Sequence, residues 1–217
     1  MEPVYRGRLG RVLFALSAVA LIATSATSGY VLHRPEPSGM TPPGVTSVDA
    51  GFARDMATHH EQAISMAGYV RDHSADPAIS LWGFDIERSQ NFQVGQLSGW
   101  LQAWGLSRTS DLPPMSWMAM SGHLHSAANG MMPGMATPDE MTKLQTLTGN
   151  ALDIDFLQLM IRHHQGGVQM AAYAAEHATL AYVRDIAKAM ASGQSAEIID
   201  MERDLRVRGG VPLPFTM

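Results

Sequence analysis

Cysteine is missing from this 217-residue chain. That excludes disulfides, thiolate metal sites and cysteine nucleophiles. Charge is scarce as well: 16% of residues are charged, and the formal net charge is -5. So few cations on a negative chain exclude nucleic acid as a partner. Aromatics make up only 7%. No segment alternates apolar and polar residues in the manner of a strand. Gly-x-Ser-x-Gly is absent, which removes the nucleophile elbow of a serine hydrolase. Glu-x-x-His is absent too, which removes the di-iron carboxylate site that helical bundles can build. The chain reads as a non-enzyme.

What remains is a chain that is 46% hydrophobic, with 16 methionines and 9 histidines. It opens on Arg6, Arg8 and Arg11, followed by an uncharged run over 12–32. That run is 32 − 12 + 1 = 21 residues, close to the ~20 that span a bilayer as a helix. Residues 1–11 would stay in the cytoplasm, and the rest of the chain would lie outside it. Residues 12–32 read as an uncleaved single-pass anchor in the cell membrane. The alternative is a cleaved signal peptide, giving a secreted or periplasmic protein. Residues 33–47 are rich in proline and glycine and form a linker.

Beyond the linker the chain repeats itself. At an offset of 104, Asp49, Phe52, Met56, His59, His60, Met66, Ala67, Tyr69, His73, Gln90, Leu101 and Gly105 recur as the same residue types. The halves are 49–105 and 153–209. Each reads as a hairpin of two long helices. In the first half, apolar residues fall three and four apart from Phe52 to Val70, then from Ile79 to Leu101. Asp76-Pro77 marks the start of the second helix. In the other half, helices are predicted from about Asn150 to His177 and from about Thr179 to Arg208. Between the halves, "TPDEMTKLQTLTG" at 137–149 carries a capping box and predicts a short helix stopped by Gly149. The fold class is all-α: a four-helix bundle over 48–209, made of two repeated hairpins with a long crossover at 111–141, and a tail at 210–217.

On a helical wheel, His59 and His60 fall on the apolar arc with Met56 and Met66. His163 and His164 fall likewise with Met160 and Met170. The interior should therefore hold two His-His pairs, and Gln90 and Gln194 should lie in line with apolar positions. Two roles are open for the pairs. They are either a buried polar network, with the glutamines as partners, or metal ligands. If they bind metal as neutral imidazoles, binding should weaken below about pH 6.

The crossover adds Met115, Met118, Met120, Met131, Met132, Met135 and Met141, with His123 and His125. A loop gains little from methionine packing. Thioether and imidazole together suit Cu(I), with Ag(I) as its mimic. The candidate ligands read from the residues are therefore the two histidine pairs together with Met118, Met120, His123, His125, Met131, Met132 and Met135.

"DIDFLQLMIRHHQGGVQMA", preceded by "MMPGMATPDEMTKLQTLTG", resembles the bacterial DUF305 family, which includes CopM-like copper-binding proteins outside the cytoplasm. The resemblance implies a ferritin-like bundle. It also implies that Met56, His59, His60 and Met66, and Met160, His163, His164 and Met170, are the family's metal-ligand positions. Gly166 and Gly167 depart from the family pattern and loosen that helix. The expected function is sequestration or transfer of copper. The alternative is a structural or interaction module with the histidines as core.

Overall fold

The structure is a computed structural model that describes residues 41–118 and 130–215. Among these residues are the helices α1 Val48–His73, α2 Pro77–Ala103, α3 Pro138–Leu144, α4 Gly149–His177 and α5 Ala181–Val207. No strand occurs among the described residues. The proposed membrane span at 12–32 lies outside them. Among the described residues, no helix is long and apolar enough to cross a membrane.

The helix starts follow local chemistry. Ser47 accepts from the Ala50 amide at 3.1 Å and opens α1. Asp76 accepts from the Ala78 amide at 2.9 Å, and Pro77 takes the first turn of α2. Thr137 and Glu140 form the expected capping box of α3. The start of α5 has no side chain of its own to cap it. Asp49 from α1 supplies the acceptor instead, at 3.0 Å from the Thr179 amide and 2.9 Å from the Leu180 amide. Its repeat counterpart Asp153 accepts from the Ser74 hydroxyl at 2.6 Å, beside the start of α2. Gly149 does not stop the short helix. α3 ends at Leu144, and Gly149, at φ +56°, is the first residue of α4. Thr146 and Leu147 turn the chain back towards Lys143 and Leu144 before α4 begins.

α1 packs on α2 and α4 on α5, and the two hairpins meet along α1 and α4. Trp82 of α2 donates to Asp204 of α5 at 2.8 Å. Trp104, just past α2, donates to the Tyr182 hydroxyl of α5 at 3.0 Å. Two apolar clusters fill the interior. One holds Met56 and Met170 with Phe52, Leu97, Leu101, Val183 and Met190. The other holds Met66 and Met160 with Phe156, Ile86, Met201 and Leu205. Met56 thus shares a cluster with Met170, not with Met66 of its own helix. α1 and α4 therefore run in opposite directions, and the histidines fall between the two clusters. Each fully buried side chain of this size contributes roughly 1.5–3 kcal/mol.

Candidate metal centre

All four paired histidines are inside the bundle. His59, His60 and His164 have no exposed surface, and His163 has 1%. His59 and His163 come from equivalent repeat positions and meet each other. Their ring centroids are 3.8 Å apart, tilted by 32°. His163 and His164 lie 6.3 Å apart, centroid to centroid.

The ring nitrogens are divided in one consistent way. Nε2 of His59 lies 3.0 Å from the Pro133 carbonyl. Nε2 of His163 lies 3.1 Å from the His59 carbonyl. Nε2 of His60 lies 2.6 Å from Gln93 Oε1. Nε2 of His164 lies 2.9 Å from Glu197 Oε2. Every one of these partners is an acceptor. Each Nε2 therefore carries the hydrogen and donates, and each Nδ1 keeps its lone pair. Nδ1 of His59, His60 and His164 is buried without a hydrogen-bond partner. Oε1 of Gln90 and of Gln194 is in the same position. Such orphaned polar atoms are costly unless something binds them.

Burial keeps three of these rings, those of His59, His60 and His163, neutral. Desolvation pushes His59 down to about 4, against the bond to Pro133 that favours the charged ring, and with repulsion from His164. Desolvation, then repulsion from His59, pushes His60 down to about 3. His163 is held well below its usual value, first by desolvation and then by its three histidine neighbours. Neutral imidazole thus persists in the folded protein well below the pH 6 expected from an ordinary histidine.

A strap from the crossover closes over this centre. Gly166 of α4 makes it possible, because a Cβ there would lie 2.0 Å from the Pro133 carbonyl oxygen. Gly134 sits at φ +78°, and a Cβ there would lie 2.3 Å from the Arg162 carbonyl oxygen. Only glycine fits both demands. Gln62 of α1 clamps the strap, accepting from the Ala136 amide at 2.7 Å and donating to its carbonyl at 2.9 Å. Arg162 of α4 grips Glu140 of α3 through two bonds of 2.8 and 2.7 Å. Gly166, read from the sequence as a loosening of the helix, is the seat of the strap. Gly167 has a similar use: a Cβ there would lie 2.3 Å from Gln194 Oε1.

The predicted ligands separate into three groups. Met56, Met66, Met160 and Met170 are fully buried. On their helices Met56 and Met160 lie three and four residues before the His pairs, within reach on one helix face. Met118 and Met132 are 9% and 5% exposed and pack in the cluster of Met56 and Met170, with Met115. Met135 packs on the edge of that cluster, and Met131 is half-buried. These crossover methionines do gain from packing, contrary to the expectation for a loop. Met120, His123 and His125 lie outside the described residues. Among the described residues, no three His, Asp or Glu side chains are grouped to hold a metal ion. A metal here would need methionine sulfur beside imidazole nitrogen.

Two features of the candidate site escaped the sequence reading. Gln93 and Glu197, not Gln90 and Gln194, bond to the histidines. They are repeat equivalents, 104 residues apart, but of different type, so a search for identities passes over them. The Pro133 carbonyl is a backbone atom, and its trace in the sequence is the two glycines that seat the strap, Gly134 and Gly166.

The fold and the site define a four-helix bundle of two equivalent hairpins with a paired-imidazole interior. This chain belongs to the DUF305 family, a domain of unknown function, whose model matches residues 49–205. It is 42% identical to a DUF305 protein of Streptomyces coelicolor described as secreted, covering 79% of this chain and 99% of that one at a TM-score of 0.72. It is 29% identical to a DUF305 fragment from Deinococcus radiodurans, covering 74% and 96% at a TM-score of 0.62. CopM in its Cu(I)-bound form shares the fold at 23% identity, covering 75% and 98% at a TM-score of 0.56. No curated protein matches the chain.

Proposed function

We propose that this protein binds Cu(I) outside the cytoplasm, through imidazole Nδ1 and methionine sulfur in the bundle interior, and sequesters or passes on the ion. One observation carries the reading. Four Nε2–H groups are fixed on acceptors, so that four lone pairs are left on Nδ1, and three of those atoms have no partner. Oriented neutral imidazoles with an outer acceptor are how proteins prepare histidine ligands. Thioethers beside them favour the soft monovalent ion. The orphaned atoms also weigh against a polar network, which would have paired them. CopM, with the same fold, is known in Cu(I)-, Cu(II)- and Ag-bound forms. The basic N-terminus followed by an apolar run supports export, either as a membrane-anchored or as a secreted protein.

The test is anaerobic Cu(I) titration of the full chain in detergent against a chelator of known affinity. His60→Asn and His164→Asn are compared with wild type, and melting curves confirm that each folds. Tight binding in wild type that weakens in both variants supports the reading. Wild type unable to compete with the chelator overturns it and leaves the histidines as core architecture.

A further inference from the structure

The two hairpins are equivalent in the sequence repeat, but their histidine partners differ. His60 gives its Nε2–H to the neutral amide oxygen of Gln93 at 2.6 Å. At the equivalent place, His164 gives its Nε2–H to the carboxylate of Glu197 at 2.9 Å. The carboxylate is one-third exposed, while the His164 side chain has no exposure. The second half therefore places a carboxylate where the first half places a neutral amide. We propose that Glu197 is a positioning residue that makes the second half the stronger metal site, so that the two halves of the bundle fill in sequence.

The reasoning rests on the metal-binding reading above. A carboxylate accepting from the far nitrogen of a histidine raises the electron density at the near one and holds the ring in place. It also offsets the positive charge that the bound ion brings into a dry interior. An amide in the same place orients the ring without supplying the charge. Each half has its own imidazole–thioether pair at i and i+4, Met56 with His60 and Met160 with His164. Each half also has an orphaned Nδ1, on His60 and on His164. The halves share ligand types and differ in the charge behind them. The Met160–His164 half therefore takes Cu(I) or Ag(I) first, and the Met56–His60 half follows at higher concentration.

The experiment exchanges the two partners. Ag(I), which needs no reductant, is titrated into the full chain in detergent. Wild type, Glu197→Gln, Gln93→Glu and the double exchange Gln93→Glu/Glu197→Gln are compared. Occupancy is followed through the ¹⁵N resonances of the histidine rings, which report each Nδ1 separately, and melting curves of the metal-free proteins check the fold. In wild type, His164 Nδ1 should respond first, with the two steps separated by about 10- to 100-fold in concentration. Glu197→Gln should merge the steps. The double exchange should restore two steps with the order reversed, His60 before His164. A merely structural role for Glu197 would not give that reversal. Simultaneous response of both halves in wild type overturns the inference and leaves the metal reading standing, as does a single ion held by all four rings. Absence of any response in all four proteins overturns the metal reading, and this inference with it.

Discussion

Acidification from pH 7 to pH 5 should remove about 6 kcal/mol of the stability of the metal-free protein. His59, His60 and His163 are held neutral in the fold, two of them with values lowered to about 4 and about 3. In the unfolded chain each returns to about 6.5. A histidine with a lowered folded value is stabilising in its neutral form. Its contribution is complete above about pH 6.5 and is lost as pH falls towards the folded value, because only the unfolded chain takes up the proton. At pH 5 the unfolded state gains about 2 kcal/mol for each such ring, and about 6 kcal/mol for three. A domain of this kind has a total of about 5–15 kcal/mol. Glu140, lowered to about 2 by Arg162, adds nothing in this window, because its loss begins only below about pH 4.5. Asp55, raised by its burial, works in the opposite direction. The assay is urea denaturation at pH 7, 6 and 5, followed by circular dichroism. The midpoint should fall steeply, with a slope approaching three protons taken up on unfolding. A loss of under about 1 kcal/mol between pH 7 and pH 5 would refute the reasoning, since it would mean that the rings are hydrated or protonated inside the fold.

Three further outcomes are expected. Gly166→Ala should lower stability by about 1–3 kcal/mol despite the better helix propensity of alanine, because its Cβ meets the Pro133 oxygen; Gly99→Ala, in open space on α2, should raise stability by up to about 1 kcal/mol, and thermal melts compare the two. Asp49→Ala should cost about 0.5–2 kcal/mol by uncapping α5, with faster amide exchange at Thr179 and Leu180 in hydrogen-exchange measurements. Ag(I) at about 100 times its dissociation constant should stabilise the fold by about 2.7 kcal/mol at pH 7; His60→Asn should reduce that gain, and no gain in wild type would contradict metal binding.

Much of the architecture was legible because it was written twice. An offset of 104 aligned the histidines, the methionines and the helix ends, and a wheel turned the spacing into an interior face. The antiparallel meeting of α1 and α4 was not legible, so the methionines were grouped along each helix, whereas the fold groups Met56 with Met170. The outer partners were hidden for a different reason. Gln90 and Gln194 match in type and lie in line with the core, yet their side-chain oxygens find no partner. Gln93 and Glu197, one turn further along, do the bonding and differ in type. The buried crossover methionines were misread because a segment without regular structure was assumed to be exposed. Met118 and Met132 instead cover one end of the core.

The meeting of His59 with His163 has a consequence for how such a chain can change. These residues sit where equivalent positions of the bundle's two halves meet, as identical hairpins would about the rotation axis of a homodimer. Two separate identical chains would receive every substitution twice, once on each side of the axis. Joining the hairpins in one polypeptide lifts that constraint. Position 93 could keep an amide while position 197 took a carboxylate, and only one half needed the glycine that admits the strap. Linking the two copies is what allows a symmetric scaffold to carry two different environments.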